Sequence, residues 1–258
     1  MAPRARAERD GDVGVITLAD PPLNLFGMEL TNDLLAALEE MEGESIRALV
    51  IRAEGEVFTG GADVHVFEGQ GTAQAAAFFK DLLKLVHTLE DMPLPTLAVV
   101  HGLCLTAGME LALACDMIWA AESAQFGLVE AVVGLTPGMG GTQRVAERAG
   151  PARAREFVMS GGLYPAATLE SWNVINRVVP DAELQDKAMA FAQRLAAGPT
   201  KAHAATKRIV RAALEHGVRG ADERVPEIVA PLFETEDLQR AVKSFLEEGP
   251  GKATFEGR

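Results

Sequence analysis

Two hydrophobic periods alternate along this chain. In "ARAERDGDVGVITLAD" (5–20) the residues on either side of the Asp-Gly-Asp turn at 10–12 suit two short strands, and the second strand alternates apolar with other positions. "MELTNDLLAALEEME" (28–42) switches to helical spacing at Leu30, Leu34, Leu35, Leu38 and Met41. "RALVIRAE" (47–54) predicts a strand with an apolar centre, "TAQAAAFFKDLLKLVHTLED" (72–91) a second helix, and "LPTLAVVHG" (94–102) a buried strand. Strand, helix, strand, helix, strand is an α/β rhythm, so a layered domain with some parallel pairing is expected. "VINRVVPD" (174–181) is the last strand, and beyond it the spacing predicts only helices, over about 182–197, 200–215, 219–232 and 235–247. The chain therefore divides into an α/β core over 1–195 and a helical C-terminal region over 196–258. An apolar stripe at Val225, Ile228, Val229 and Leu232 either finishes a core or meets another subunit.

Composition narrows the class. With 258 residues, 48% of them hydrophobic, the chain can bury a substantial core. A formal net charge of −13 opposes general binding to nucleic acid or anionic lipid, so any anionic ligand must be held locally. Charges and glycine cut the first twenty residues, and no apolar run reaches the length of a membrane span. The cytoplasm is the expected compartment, without a membrane partner. Cys104 and Cys115 sit in apolar sequence with no CxxC or other short metal-ligand spacing, which suits buried thiols.

Three stretches could carry chemistry. In "TAGMELALACD" (106–116) Thr106 suits an N-cap, leaving the N–H groups of Ala107, Gly108 and Met109 to face whatever lies ahead of the helix. Such a helix start can hold an anion, or it can be an ordinary capped core helix. Glu110, one turn behind, has no polar face to occupy. "FTGGADV" (58–64) predicts a tight turn with exposed N–H groups near Gly61 and Ala62. Alone it is only a turn, but facing the helix start it would form an oxyanion hole. Glu130 is again a lone carboxylate among Leu128, Val129, Ala131, Val132 and Val133. Such groups are expensive to ionise in apolar surroundings, so two of them suit either a tuned acid/base pair or structural salt bridges. "GMGGTQ" lacks the third glycine of a dinucleotide fingerprint, and no phosphate loop, Gly-x-Ser-x-Gly elbow or HExxH pair occurs. His65 and His101 fit ordinary hydrogen-bonded roles better than catalytic ones.

Taken in order and spacing, "FTGGAD", "HGLCLTAGMELALACDMIWAAESAQFG", "PGMGGTQRV" and "SGGLYPAATLESWNVINRVVP" resemble the motifs of the crotonase (enoyl-CoA hydratase/isomerase) superfamily, and the likeness covers nearly the whole chain. The resemblance implies an α/β fold, a spiral of ββα units with a helical C-terminal region used in forming a homotrimer or a homohexamer of two trimers. It implies that the N–H groups of Ala62 and Ala107 grip the thioester oxygen of an acyl-CoA. Glu110 and Glu130 then fall on the acid/base positions of the hydratases, which add water across a trans-2-enoyl-CoA with no metal or redox cofactor. Many relatives have glycine where this chain has Ala107, but only the backbone donor is required. CoA contacts are implied for Leu23, Asn24, Ala62, Asp63 and Val64. Lys252 and Phe255 resemble a C-terminal pair that reaches the nucleotide end, sometimes of a neighbouring subunit, a solvated tail being the simpler reading. Another acyl-CoA isomerase, lyase or hydrolase would use the same oxyanion hole, and a silent acyl-CoA-binding protein is the reading from outside enzymology.

Overall fold

The computed structural model describes residues 2–43 and 45–258. Strands β1 (Ala5–Asp10) and β2 (Val13–Leu18) pair antiparallel around the expected turn, with Ala5 opposite Leu18. Helix α1 (Met28–Gly43) then leads to β3 (Ala48–Ala53), and α2 (Thr72–Asp91) leads to β4 (Thr96–Val100). β2, β3 and β4 run parallel. Every residue of β2 and β4 is buried, as expected for parallel strands covered on both faces.

From β4 the chain turns into β5 (Leu103–Leu105) and at once into α3 (Thr106–Ala114). β6 (Met117–Ala121) returns to the first sheet, and β7 (Gln125–Gly127) pairs with β5 in a second one. α4 (Gly141–Ala149) and α5 (Pro151–Ser160) follow, then β8 (Tyr164–Pro165), α6 (Ala166–Ser171) and β9 (Arg177–Val179). The larger sheet has six strands in the order β1-β2-β3-β4-β6-β9, parallel except for β1, and the smaller has the order β5-β7-β8. The chain thus forms the expected α/β fold, in which successive turns feed two sheets.

Only helices and short 3₁₀ turns follow: α7 (Leu184–Ala196), α8 (Thr200–Asp222), α9 (Val225–Val229) and α10 (Glu236–Glu248). The break expected at 215–217 is a kink within α8, where Gly217 has φ 72°. α7 buries Leu184, Ala188, Ala192 and Ala196, and it lies against the larger sheet. Of the striped positions near the C-terminus, Ile228 is buried. No helix among the described residues is long and apolar enough to cross a membrane.

α3 is the element on which the rest converges. Its nine residues are almost wholly apolar, and all but the first are buried, between α2 and α4. A helix buried on every side cannot give its terminal carbonyls to water. Arg148 of α4 resolves this: its guanidinium donates to the carbonyls of Leu113 at 3.1 Å and Cys115 at 2.7 Å, and to Val174 at 3.0 Å. Cys104 and Cys115 are buried thiols, and burial pushes the Cys115 thiol up to about 12. Replacing Arg148 with Met should leave these carbonyls without their donor and destabilise the fold by about 2–3 kcal/mol, while Arg148→Lys should recover part of the loss. Denaturant unfolding checks this, and an unchanged midpoint for Arg148→Met would contradict the role.

Candidate active site

The segment after β3 is held against the start of α3 by a few polar contacts. A parallel bridge joins Thr59 to Cys104, and another joins Phe26 to Ala62. Thr59, fully buried, donates its hydroxyl to the Asn24 carbonyl at 2.9 Å and accepts the Gly61 N–H at 2.9 Å. Its methyl group fills the space beside Gly108, where an added Cβ would lie 1.9 Å from Thr59 Cγ2. The glycine in the first turn of α3 is therefore a steric requirement for bringing the two segments together.

Thr106 does not cap the helix as expected. The N-cap is Leu105, which makes no side-chain cap, and Thr106 lies in the helix with φ 43°. Its hydroxyl instead accepts the Ala62 N–H at 2.7 Å. The Ala107 N–H has no acceptor among the described residues. Both expected donors thus lie at the meeting of the two segments, one open and one covered by a hydroxyl.

Glu110 is buried, and its Oε1 accepts the N–H groups of Met139 and Gly141, each at 2.8 Å. The glycines of "GMGG" make that arrangement possible. A Cβ at Gly138 would meet the Phe79 ring at 2.2 Å, and one at Gly141 would meet Glu110 Cγ at 2.8 Å. Gly140 caps α4 with φ 98°, a backbone region that side chains disfavour. This stretch lacks the third glycine of a dinucleotide fingerprint. It presents two backbone donors to one carboxyl oxygen.

Glu130 opens a 3₁₀ turn (Glu130–Val133). It too is buried, and its Oε2 has no hydrogen-bond partner among the described residues. Burial raises the pKa of both carboxyls from 4.5 to about 7. For Glu110 the Gly141 N–H opposes that rise, the charge of Glu130 adds to it, and the Met139 N–H and Arg144 oppose it more weakly. Arg144 is itself paired with Glu90 at 2.6 Å. Neither glutamate makes a salt bridge within 4.0 Å among the described residues, so the structural ion-pair reading fails for both.

Ala62, Val64, Thr106, Ala107, Glu110 and Glu130 line one cavity of about 210 Å³, walled on its apolar side by Phe26, Phe67, Phe78, Phe79, Leu82 and Met139. A second cavity of about 520 Å³ shares Val64, Phe67, Phe79, Val133 and Leu135 with it. The first alone is smaller than the roughly 300–1,000 Å³ of drug-sized ligand sites. The two cavities adjoin along these shared residues, and Val64, Val132 and Val133 are exposed beside them.

The remaining expected residues are placed differently. Leu23 is exposed beside Gly60, and its carbonyl accepts the Gly60 N–H. Asn24 is fully buried. Its amide nitrogen lies within hydrogen-bonding distance of the carbonyls of Glu54, Val57 and Phe58, and its Oδ1 accepts the Asp20 N–H, so the side chain braces the loop. Asp63 flanks Ala62, caps the turn at Val64–Phe67 and bonds His65, which lowers its pKa. His101 bonds the Gly55 carbonyl at 3.0 Å. Lys252 and Phe255 line neither of these cavities in their own chain: Arg47, just before β3, holds the Phe255 carbonyl, and Asp237 accepts the N–H groups of Glu256 and Gly257. Among the described residues no cluster of three or more His, Cys, Asp or Glu could hold a metal ion.

With this geometry in view, comparison with known proteins is specific. Residues 8–258 match the family model described as enoyl-CoA hydratase/isomerase. A probable enoyl-CoA hydratase of Rhizobium meliloti is 32% identical over 253 residues, covering 97% of each chain. An enoyl-CoA isomerase/hydratase of Mycosarcoma maydis is 30% identical over 100% of this chain and 97% of its own. The crystal structure of an enoyl-CoA hydratase subunit from Geobacillus kaustophilus superimposes with a TM-score of 0.92 at 32% identity, covering 99% of this chain and 98% of that one. The chain therefore belongs to the enoyl-CoA hydratase/isomerase family, the crotonases.

Proposed function

We propose that this protein is an enoyl-CoA hydratase, adding water across the 2,3 double bond of a trans-2-enoyl-CoA to give a 3-hydroxyacyl-CoA. The observation that carries this reading is the pair of buried carboxyls, Glu110 and Glu130, on one cavity with the open Ala107 N–H. Met139 and Gly141 fix one oxygen of Glu110, which leaves the other to orient a water. Glu110 takes a proton from that water as its oxygen attacks C3, and Glu130, on the same cavity, supplies the proton that reaches C2. Groups with pKa values near 7 can do both jobs at neutral pH. Negative charge builds on the thioester oxygen, and backbone donors aimed there are worth about 3–4 kcal/mol each. The apolar wall of Phe67, Phe78 and Phe79 suits the acyl chain. The chemistry uses only carboxyls and hydrogen-bond donors, and we propose that it needs no metal or redox cofactor.

Double-bond isomerisation, to which the name of the Mycosarcoma relative points, needs only one carboxyl to move a proton between carbons. A second carboxyl positioned by two N–H groups favours hydration. We further propose that the C-terminal helices assemble the chain into a trimer or a hexamer, because they expose Val210, Leu214, Val218, Phe233, Phe245 and Leu246.

Hydration of crotonyl-CoA, followed by the loss of its enoyl absorbance, should fall at least about a hundredfold in each of Glu110→Gln and Glu130→Gln. Near-normal turnover in either would sink the pair, and no hydration by the unmodified protein would favour a silent acyl-CoA binder. Glu110 also makes folding depend on pH. Its pKa is raised on folding, so between about 4.5 and 7 the folded chain binds more protons than the unfolded one, and stability falls as pH rises through that window. Above it the ionised carboxyl costs on the order of 3 kcal/mol. Glu110→Gln cannot ionise, so it should unfold several degrees above the unmodified protein at pH 8, with the gap closing near pH 4.5. Calorimetric scans across that range check this, and a variant that melts lower at pH 8 would contradict it. Sedimentation should give three or six times the chain mass, and a monomer would contradict the assembly.

A further inference from the structure

Thr106 has a conformation that needs explaining. Its φ of 43° is left-handed, where a β-branched residue is an outlier, and such strain persists only where surroundings enforce it. Gly61 makes room for it, since a Cβ there would lie 2.3 Å from Thr106 Oγ1. The side chain lines the cavity between Ala62 and Ala107, and its oxygen accepts the Ala62 N–H at 2.7 Å. On the wall of this cavity the Thr106 hydroxyl thus covers the Ala62 N–H, while the Ala107 N–H stays open. A hydroxyl carries one proton besides its acceptor capacity, and that of Thr106 has no acceptor among the described residues.

We propose that Thr106 is the second donor of the oxyanion hole. The Ala62 N–H binds Oγ1 from behind, and the polarised hydroxyl donates its own proton in a hydrogen bond to the thioester oxygen beside the Ala107 N–H. The hole is then one amide and one hydroxyl, with the second amide acting through the hydroxyl. This rests on the acyl-CoA reading above but adds a catalytic residue to it.

The test uses the full-length protein and three variants. Thr106→Ser keeps the hydroxyl and should retain kcat for crotonyl-CoA within about threefold. Thr106→Ala and Thr106→Val remove it, and each should lower kcat about a hundredfold with KM changed less than about threefold. A second readout is independent of hydration: acetoacetyl-CoA bound in an oxyanion hole is stabilised as its enolate, which absorbs in the near ultraviolet. The unmodified protein and Thr106→Ser should raise that absorbance, and Thr106→Ala should not. If Thr106→Ala matches Thr106→Ser in kcat and in enolate signal, the hydroxyl is not a donor and the proposal is overturned, while the acyl-CoA reading stands. If the unmodified protein neither hydrates crotonyl-CoA nor generates the enolate, both fall. Thr106→Ala adds no bulk, so its result decides even if Thr106→Val does not fold.

Discussion

Water solvates a carboxylate far better than an apolar cavity does, and this site keeps two carboxyls in such a cavity. Removing an ion from water costs several kcal/mol even after relaxation, so each group must be partly neutral, well held, or both. Glu110 is held by two N–H groups, and much of the local sequence follows from that requirement. Glycines at 138 and 141 let the donor segment approach Phe79 and Glu110 closely. Glu130 has weaker support and keeps an oxygen without a partner. The cost appears as pKa values displaced towards neutrality, where the same groups can exchange protons.

A helix carrying such a carboxyl has to be rigid at both ends. Arg148 secures the C-terminal carbonyls of α3. At the other end Thr59 couples three segments, through Asn24, Gly61 and its methyl contact with the place of Gly108. Asn24 in turn ties its loop to the residues leading out of β3. The donors of the site are therefore positioned by buried side-chain to backbone bonds, which lose little to solvent.

Periodicity reads the long elements well. Helix α2 occupies the expected 72–91, and β1 and β2 turn where expected. β5, β7 and β8 have two or three residues each, too few for alternation to register. Thr106 satisfies the local rule for a helix cap, yet its hydroxyl bonds a residue 44 positions away, and no local rule contains that partner. Asn24, which the resemblance places on a CoA-binding loop, lies near carbonyls 30 to 34 positions on, and no local rule supplies those partners. The glutamates are visible as polar residues without a polar face. That they share one cavity depends on how α3 packs against the turn after β7, which their spacing does not encode.

The central claim is that one cavity holds two carboxyls displaced to neutrality by burial. Carbon-13 NMR of protein labelled at the glutamate carboxyl carbons, titrated from pH 4 to 9, measures this directly. Two signals, assigned by substitution to Glu110 and Glu130, should titrate near pH 7. If both instead titrate at the ordinary carboxyl value of 4.5, the cavity does not hold its carboxyls as described and the account is wrong.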